Sequence, residues 1–128
     1  MRIEAHYMDG LTEHRLDWDL VVDAGMAYLE AARSRRRKPP LHVRFRFDDG
    51  PFRAVLPRLC SMGEEYQAPW DDLELRDLMV RHGETTIRRR VYGASVLVAA
   101  HPEIEDFLAA WRLLETAVMA HLPAPSGG

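Results

Sequence analysis

The chain has 128 residues, of which 47% are apolar and 29% charged, with a formal net charge of −3 at pH 7. This composition is typical of one globular domain and excludes a disordered low-complexity chain. The longest apolar run, 94–100, is too short to span a bilayer, and the N-terminus lacks a signal-peptide core. The single cysteine, Cys60, excludes an internal disulfide, so we expect a cytoplasmic protein without a membrane segment.

Arginine dominates the basic residues of this chain. Lys38 is the only lysine among 17 basic residues, and asparagine is absent. Because lysine and asparagine codons are rich in A whereas arginine has GC-rich codons, this bias indicates a GC-rich, bacterial genome. Abundant arginine therefore does not by itself indicate selection for phosphate recognition.

The first third of the chain predicts two strands and a helix. Residues 1–16 predict two short strands, because apolar and polar residues alternate and Asp9-Gly10 is typical of a hairpin turn. From Asp17 or Asp19 to about residue 37, apolar residues recur at helical spacing and predict a helix. Pro39-Pro40 would stop this helix.

Residues 41–56 predict a β-hairpin with one apolar face and one arginine face. Apolar residues alternate with polar residues, and the segment 48–51 has the composition of a turn. The apolar set of the first strand is Leu41, Val43, Phe45 and Phe47, and its polar set is His42, Arg44 and Arg46. Pairing Phe47 with Phe52 would place Arg46 opposite Arg53 on the polar face.

The second half of the chain predicts a loop, a helix, a strand and a final helix. Residues 57–69 predict an irregular loop that contains Tyr66, and a helix begins near Asp71 and ends at Gly83. Residues 84–100 predict a strand that is interrupted near Gly93, with 96–98 in the interior of the sheet. Residues 102–122 predict the last helix, and 123–128 predict a disordered tail.

Together these elements predict a single α+β domain over residues 1–122. The expected order is ββα-ββα-β(β)-α, with a mostly antiparallel sheet built on β-hairpins and about three helices on one sheet face. The opposite face of the sheet would carry Arg44, Arg46 and Arg53.

Charge is segregated along the chain. Residues 33–63 contain nine basic and two acidic side chains, whereas 1–32 contain two basic and seven acidic ones. Residues 64–77 contain one basic and six acidic side chains. This segregation can hold helices against the sheet, or it can create opposite surface poles that steer a charged partner.

The basic run and the hairpin arginines are the candidate partner-binding residues. Arginines at the end of a predicted helix complement its dipole, and arginines opposed across a hairpin can be solvated or paired with helix carboxylates. Both groups can alternatively bind an anionic partner. The predicted partner-binding set is Arg35, Arg36, Arg37, Arg44, Arg46, Arg53 and Tyr66.

No catalytic residue, metal site or cofactor is predicted. The six histidines show no HxxxH, HxH or HExxH spacing, and no glycine-rich phosphate-binding motif is present. Cys60 has no family signature that would make it a nucleophile, so we expect it to be structural.

The last predicted helix has an apolar arc that is wider than one buried face. A second copy of the chain would cover the excess, which predicts a homodimer. The residues assigned to this interface are Trp111, Leu113, Leu114, Ala117 and Val118.

Three classes of function follow from these patterns. The leading hypothesis is a small non-enzymatic protein that binds, as an inhibitor would, a larger bacterial protein or ribonucleoprotein. The alternative is a nucleic-acid-binding protein that uses the arginine sheet face together with Arg35–Arg37 and Arg88–Arg90. An enzyme whose site is not visible in the sequence is the third hypothesis.

Overall fold

The computed structural model describes residues 1–10, 15–33 and 40–123. Its α+β fold, with a seven-stranded, mostly antiparallel sheet and three α-helices, confirms the predicted fold class. The strands are β1 (Arg2–Met8), β2 (Leu16–Asp23), β3 (Met26–Arg33), β4 (Leu41–Arg46), β5 (Glu65–Gln67), β6 (Leu75–His82) and β7 (Thr85–Tyr92). The helices are α1 (Gly50–Val55), α2 (Ala94–Leu97) and α3 (Ile104–His121), and a 3-10 helix spans Leu56–Ser61. Within the described ranges, no helix is long and apolar enough to cross a membrane.

The sheet has the strand order β4-β3-β2-β1-β6-β7-β5. Strands β1 to β4 form an antiparallel meander, β6 pairs with β1, and β5 alone runs parallel to its neighbour β7. The β2–β3 hairpin turns through Ala24 and Gly25, whose φ angles are 49° and 78°. Two positive φ angles are typical of the type I′ turn, whose twist matches that of the flanking strands.

Strand register separates a buried face from an outer face. Ile3 lies between Val22 of β2 and Val80 of β6, and all three are at most 1% exposed. These buried residues belong to one apolar core that also contains the buried side chains of the helices. The residues that alternate with the buried set form the outer face, and they are half-buried or exposed. Its members on β1 to β4 are Arg2, Glu4, His6, Met8, Asp17, Asp19, Val21, Asp23, Met26, Tyr28, Glu30, Ala32, His42, Arg44 and Arg46.

Stacked aromatic rings join α3 to the sheet. The rings of Trp18 and Trp111 are 5.3 Å apart at 25°, and Trp18 also stacks on Tyr7 at 5.6 Å. Phe107, one turn earlier on α3, lies 5.7 Å from Trp111. Each aromatic pair contributes about 0.5–1.5 kcal/mol beyond the area that it buries.

The predicted helix over residues 17–37 is wrong. Residues 16–33 form the β2–β3 hairpin, and residues 34–39 lie outside the described residues. Trp18, Leu20 and Val22 are buried on alternate positions, which is the period of a strand. The helical pattern was misleading because Val21, on the outer face, is apolar and half-buried as well.

The predicted central hairpin is half correct. Its first strand is β4, but its return strand is wrong, because residues 50–55 form α1. Pro51 lies in the first turn of α1, where its missing N–H costs nothing, and Phe52 is fully buried. Arg53 extends from α1 and pairs with Asp49 at 3.1 Å, so it does not face Arg46 across a hairpin.

The predicted helix from Asp71 to Gly83 is also wrong, because this segment contains strand β6. Leu78 and Val80 are buried at alternate positions, and Gly83 lies in the short turn to β7 with a φ of 61°. The strand predicted over 84–100 ends at Tyr92, after which α2 begins. Val96 is 41% exposed on α2 rather than buried in the sheet interior.

The N-terminal strand and the C-terminal helix are confirmed. β1 lies within the predicted strand region, and α3 lies within the predicted range 102–122. Most of the return strand predicted at residues 11–16, namely residues 11–14, lies outside the described residues. Residues 124–128 of the predicted tail lie outside them as well. The observed element order differs from the predicted one, because four strands, rather than two, precede the first helix among the described residues.

Candidate functional site

The outer face carries its charge in stripes that follow the strands. β4 presents Arg44 and Arg46, and β7 presents Arg88 and Arg90. The acidic residues between them on β2 and β3 are Asp17, Asp19, Asp23 and Glu30. Five strand spacings separate β4 from β7, which places the two arginine pairs ~24 Å apart. The two pairs therefore belong to separate cationic stripes with an acidic band between them.

Strand β4 forms one edge of the sheet and exposes its polar residues. His42, Arg44 and Arg46 are all exposed. The guanidinium of Arg44 lies 5.8 Å from the centre of the Tyr28 ring, and Tyr28 itself is 49% exposed. Neither Arg44 nor Arg46 forms an ion pair with a carboxylate in the part of the chain that the structure describes.

A shallow depression of about 330 Å³ lies beside this edge. The outer-face residues that line it are Asp19, Val21, Tyr28, Glu30, His42 and Arg44. Asp19 faces Glu30 across β2 and β3, and Glu30 faces His42 across β3 and β4. Asp19 accepts a hydrogen bond of 2.7 Å from Nδ1 of His6. The acidic band therefore begins one strand inside the cationic edge.

The structure brings together only part of the predicted partner-binding set. Arg44 and Arg46 share the outer face of β4, and Arg53 lies on α1 in its ion pair with Asp49. Three further members, Arg35, Arg36 and Arg37, lie outside the described residues.

Tyr66 is held by contacts within the protein. Its hydroxyl accepts a hydrogen bond of 2.9 Å from the Gly63 N–H and donates one of 3.1 Å to Glu103. The ring of His101 packs edge-on against Tyr66 at 5.3 Å. A hydrogen bond from its own backbone N–H lowers the pKa of Glu103, and the Tyr66 hydroxyl lowers it further. These contacts tie Gly63 and strand β5 to the start of α3, and a role of Tyr66 in partner binding stays a prediction.

Of the three consecutive arginines on β7, two are exposed and one is buried. Arg88 and Arg90 are exposed on the outer face. Arg89 points to the buried face and is only 9% exposed. Its Nε donates to the Leu59 carbonyl at 3.0 Å, and its guanidinium donates to the Arg88 carbonyl at 2.7 Å. Arg89 therefore joins the 3-10 helix to the sheet instead of facing a partner.

The residues predicted for a dimer interface lie mainly in the core. Trp111, Leu114 and Val118 are at most 1% exposed within one copy of the chain, whereas Leu113 and Ala117 are half-buried. The core of a single protomer thus accounts for most of the wide apolar arc on α3. The wide apolar arc is therefore not evidence for a second subunit, and the homodimer stays a prediction.

Glu74 and Tyr7 also have hydrogen-bond partners within the fold. Glu74 accepts hydrogen bonds from the Ser95 N–H at 3.0 Å and from Arg76 at 3.3 Å. Burial raises the pKa of Glu74, but the hydrogen bonds from Ser95 and from its own backbone, together with the positive charge of Arg76, outweigh burial, and the net shift is downward. The pKa of Tyr7 is raised, first by burial and then by its hydrogen bond to Asp9. Glu74 thus links the start of β6 to the first turn of α2.

The nucleophile and metal hypotheses gain no geometric support in the described ranges. Cys60 is a free, exposed thiol on the 3-10 helix. No group of three or more His, Cys, Asp or Glu side chains is arranged to hold a metal ion within the ranges 1–10, 15–33 and 40–123.

Sequence reasoning missed the residues that surround Arg44. Tyr28, Glu30 and Asp19 were assigned to a helix, so their position beside β4 was not foreseen. The alternation of Asp17, Trp18, Asp19 and Leu20, followed by a glycine turn, was the signal that could have found the hairpin.

The chain matches no protein-family model, and it has no significant match among curated proteins. Evidence for a function therefore comes from the geometry of the outer face, where exposed arginines line one edge of the sheet.

Proposed function

We propose that the protein is a small non-enzymatic interaction protein that binds, in the manner of an inhibitor, a larger bacterial protein or ribonucleoprotein in the cytoplasm. The observation that carries this proposal is the exposure of Arg44 and Arg46 on the edge strand β4. An acidic surface on the partner is the complement that these guanidinium groups favour.

The arginines contribute orientation more than affinity. An exposed ion pair contributes about 0.2–1 kcal/mol, so two arginines alone do not hold a stable complex. Tyr28 lies beside Arg44 and is 49% exposed, which provides an aromatic anchor of the kind that dominates many interfaces. Charge complementarity at the edge would steer the encounter, and burial of Tyr28 would add affinity.

Nucleic acid is the second candidate, because Arg44, Arg46, Arg88 and Arg90 share one face of the sheet. A phosphate backbone that reached both arginine pairs would have to cross the acidic band of β2 and β3. Phosphates and carboxylates repel each other, so this band disfavours a continuous nucleic-acid track. A protein partner can place its acidic residues at one edge only, which fits the observed stripes better.

Charge reversal at each edge tests the proposal. The Arg44→Glu/Arg46→Glu double variant and the matched Arg88→Glu/Arg90→Glu double variant are immobilised beside the wild-type protein. A bacterial lysate is passed over each protein, once untreated and once after nuclease treatment, and bound proteins are quantified by mass spectrometry. We expect one protein or complex to bind the wild type and the β7 variant, and to be lost from the β4 variant.

Two results would contradict the proposal. Binding that disappears on nuclease treatment and falls equally in both variants would favour nucleic acid. Capture that is unchanged in the Arg44→Glu/Arg46→Glu variant would show that the β4 edge is not the binding surface. Equal melting temperatures of the three proteins are the required control for folding.

A further inference from the structure

The backbone groups of β4 that point away from the sheet can be identified from one hydrogen bond. The Phe47 N–H donates to the Gly25 carbonyl at 2.9 Å, and these two residues continue the register of β3 with β4. In an antiparallel ladder, hydrogen-bonded pairs alternate with non-hydrogen-bonded pairs. Phe45, Val43 and Leu41 therefore bond to β3, whereas the other residues of β4 do not. The N–H and C=O groups of His42, Arg44 and Arg46 point outward from the sheet edge.

The side chains of the same three residues are the imidazole and the two guanidinium groups that β4 presents on the outer face. Their neighbours Leu41, Val43 and Phe45 are half-buried on the other face of the strand. Phe45 stacks on His121 at the end of α3, with ring centres 3.8 Å apart at 12°. This contact supports β4 from the helix side, so the edge is held in an extended form before any strand is added.

Pairing of two copies through β4 is disfavoured by this pattern. An antiparallel strand added to β4 must present its own inward N–H groups to His42, Arg44 and Arg46. If the added strand were β4 of a second copy, the residues that present these inward N–H groups would again be His42, Arg44 and Arg46. Like charges directly opposite on a sheet destabilise the pairing, so the edge rejects its own copy.

We infer that β4 accepts an antiparallel extended segment of an acidic partner, which adds an eighth strand to the sheet. This inference rests on the proposed protein-binding function and states its mode. The segment would alternate Asp or Glu with apolar residues, so that its carboxylates face His42, Arg44 and Arg46. Its apolar residues would lie beside Leu41, Val43 and Phe45. Main-chain hydrogen bonds would supply affinity, and the alternating side chains would supply specificity.

A fluorescent peptide with the core Glu-Val-Glu-Val-Glu tests this mode by anisotropy. The ladder geometry directs the N–H groups of the glutamates to β4 and those of the valines away from it. Methylation of the glutamate nitrogens should therefore weaken binding at least about tenfold, because several ladder hydrogen bonds are lost. Methylation of the valine nitrogens is the matched control and should leave the affinity within about twofold of the parent.

Charge exchange tests the side-chain half of the inference. The Arg44→Glu/Arg46→Glu variant should bind the Glu-Val peptide at least about tenfold more weakly and should prefer a Lys-Val-Lys-Val-Lys peptide. Equal effects of the two methylations, or no binding of the Glu-Val peptide, would overturn strand addition. Dimerisation of the wild-type protein that the peptide cannot displace would show that a second copy occupies the edge.

A proline substitution separates failure of this mode from failure of the proposed function. His42→Pro removes one outward N–H while leaving both arginines and the β3 ladder in place, and His42→Thr retains that N–H. In the lysate capture, strand addition predicts that the proline variant loses the partner and the threonine variant keeps it. If both keep the partner while the Arg44→Glu/Arg46→Glu variant loses it, the proposed function stands and strand addition is wrong.

Discussion

Replacement of Arg89 by methionine should destabilise the fold, whereas the same change at Arg88 or Arg90 should not. Arg89 is 9% exposed and donates to two backbone carbonyls, and methionine would keep most of its apolar stem while removing both bonds. A hydrogen bond from a charged group contributes about 1.5–3 kcal/mol. Relief of the cost of burying a charge offsets part of this loss.

The net expectation is a loss of about 2–4 kcal/mol in the free energy of unfolding for Arg89→Met. For a chain of this size that corresponds to a fall in Tm of about 4 °C per kcal/mol. The matched changes Arg88→Met and Arg90→Met remove only exposed side chains, so they should stay within about 0.5 kcal/mol of the wild type.

Urea unfolding followed by tryptophan fluorescence measures all three variants, because Trp18 and Trp111 are buried in the core. Equal stabilities for the three variants would refute the assignment of Arg89 to the fold. Arg89→Lys adds a further check, since lysine keeps the charge but lacks the Nε–H that reaches Leu59. We expect its stability to lie between those of Arg89→Met and the wild type.

Three other predictions concern a turn, the thiol and a carboxylate. Gly93→Ala should cost about 1–3 kcal/mol more than Gly83→Ala, although both glycines have positive φ. An added Cβ at Gly93 would lie 2.7 Å from the Cβ of Ala68, whereas one at Gly83 would meet nothing, and equal urea midpoints would contradict this. Cys60→Ser should leave stability and partner capture unchanged because the thiol is exposed, and lost activity in a folded variant would favour an enzyme. The pKa of Glu74 in the folded state lies below its ordinary value of 4.5. The ionised carboxylate therefore stabilises the fold fully above pH 4.5, and this stabilisation is lost as the pH falls through the folded-state pKa. Glu74→Gln should therefore lose less stability than the wild type between pH 7 and pH 3, and parallel pH profiles would contradict this.

The elements that the sequence predicted correctly have one unambiguous period. In α3, Phe107, Trp111, Leu114 and Val118 recur at helical spacing and are all buried. In β1, Ile3 and Ala5 alternate with half-buried polar residues. In both elements a single face is buried, so the apolar positions report the secondary structure directly.

The hairpin of β2 and β3 was mispredicted because both of its faces contain apolar residues. Val21 on β2 and Met26 on β3 lie on the outer face but are half-buried. When such residues are counted with the buried set, the intervals of three and four residues mimic a helix. The tertiary position of a strand within its sheet, which the local pattern does not contain, decided between the two periods.

The candidate site was predictable only where it follows from strand alternation. Arg44 and Arg46 share a face because they are two residues apart in a strand, and the sequence indicates that strand clearly. The partner expected for Arg46 was wrong because Gly50-Pro51 begins a helix, in which Arg53 pairs with Asp49. Tyr28 stands opposite Arg44, and Glu30 opposite His42, only through the long-range register of β3 with β4.

Exposed cations on an edge strand have two physical effects that must be considered together. Natural sheets place charges on their edges to prevent pairing with other strands, so Arg44 and Arg46 alone are explained by protection against aggregation. Protection, however, does not require the edge to be supported and flanked by half-buried apolar side chains. Strand β4 has six residues, and Phe45 is held against His121 on the helix side. A cationic edge with these properties repels identical strands and remains open to an acidic one, so self-exclusion and selection of a partner follow from the same side chains.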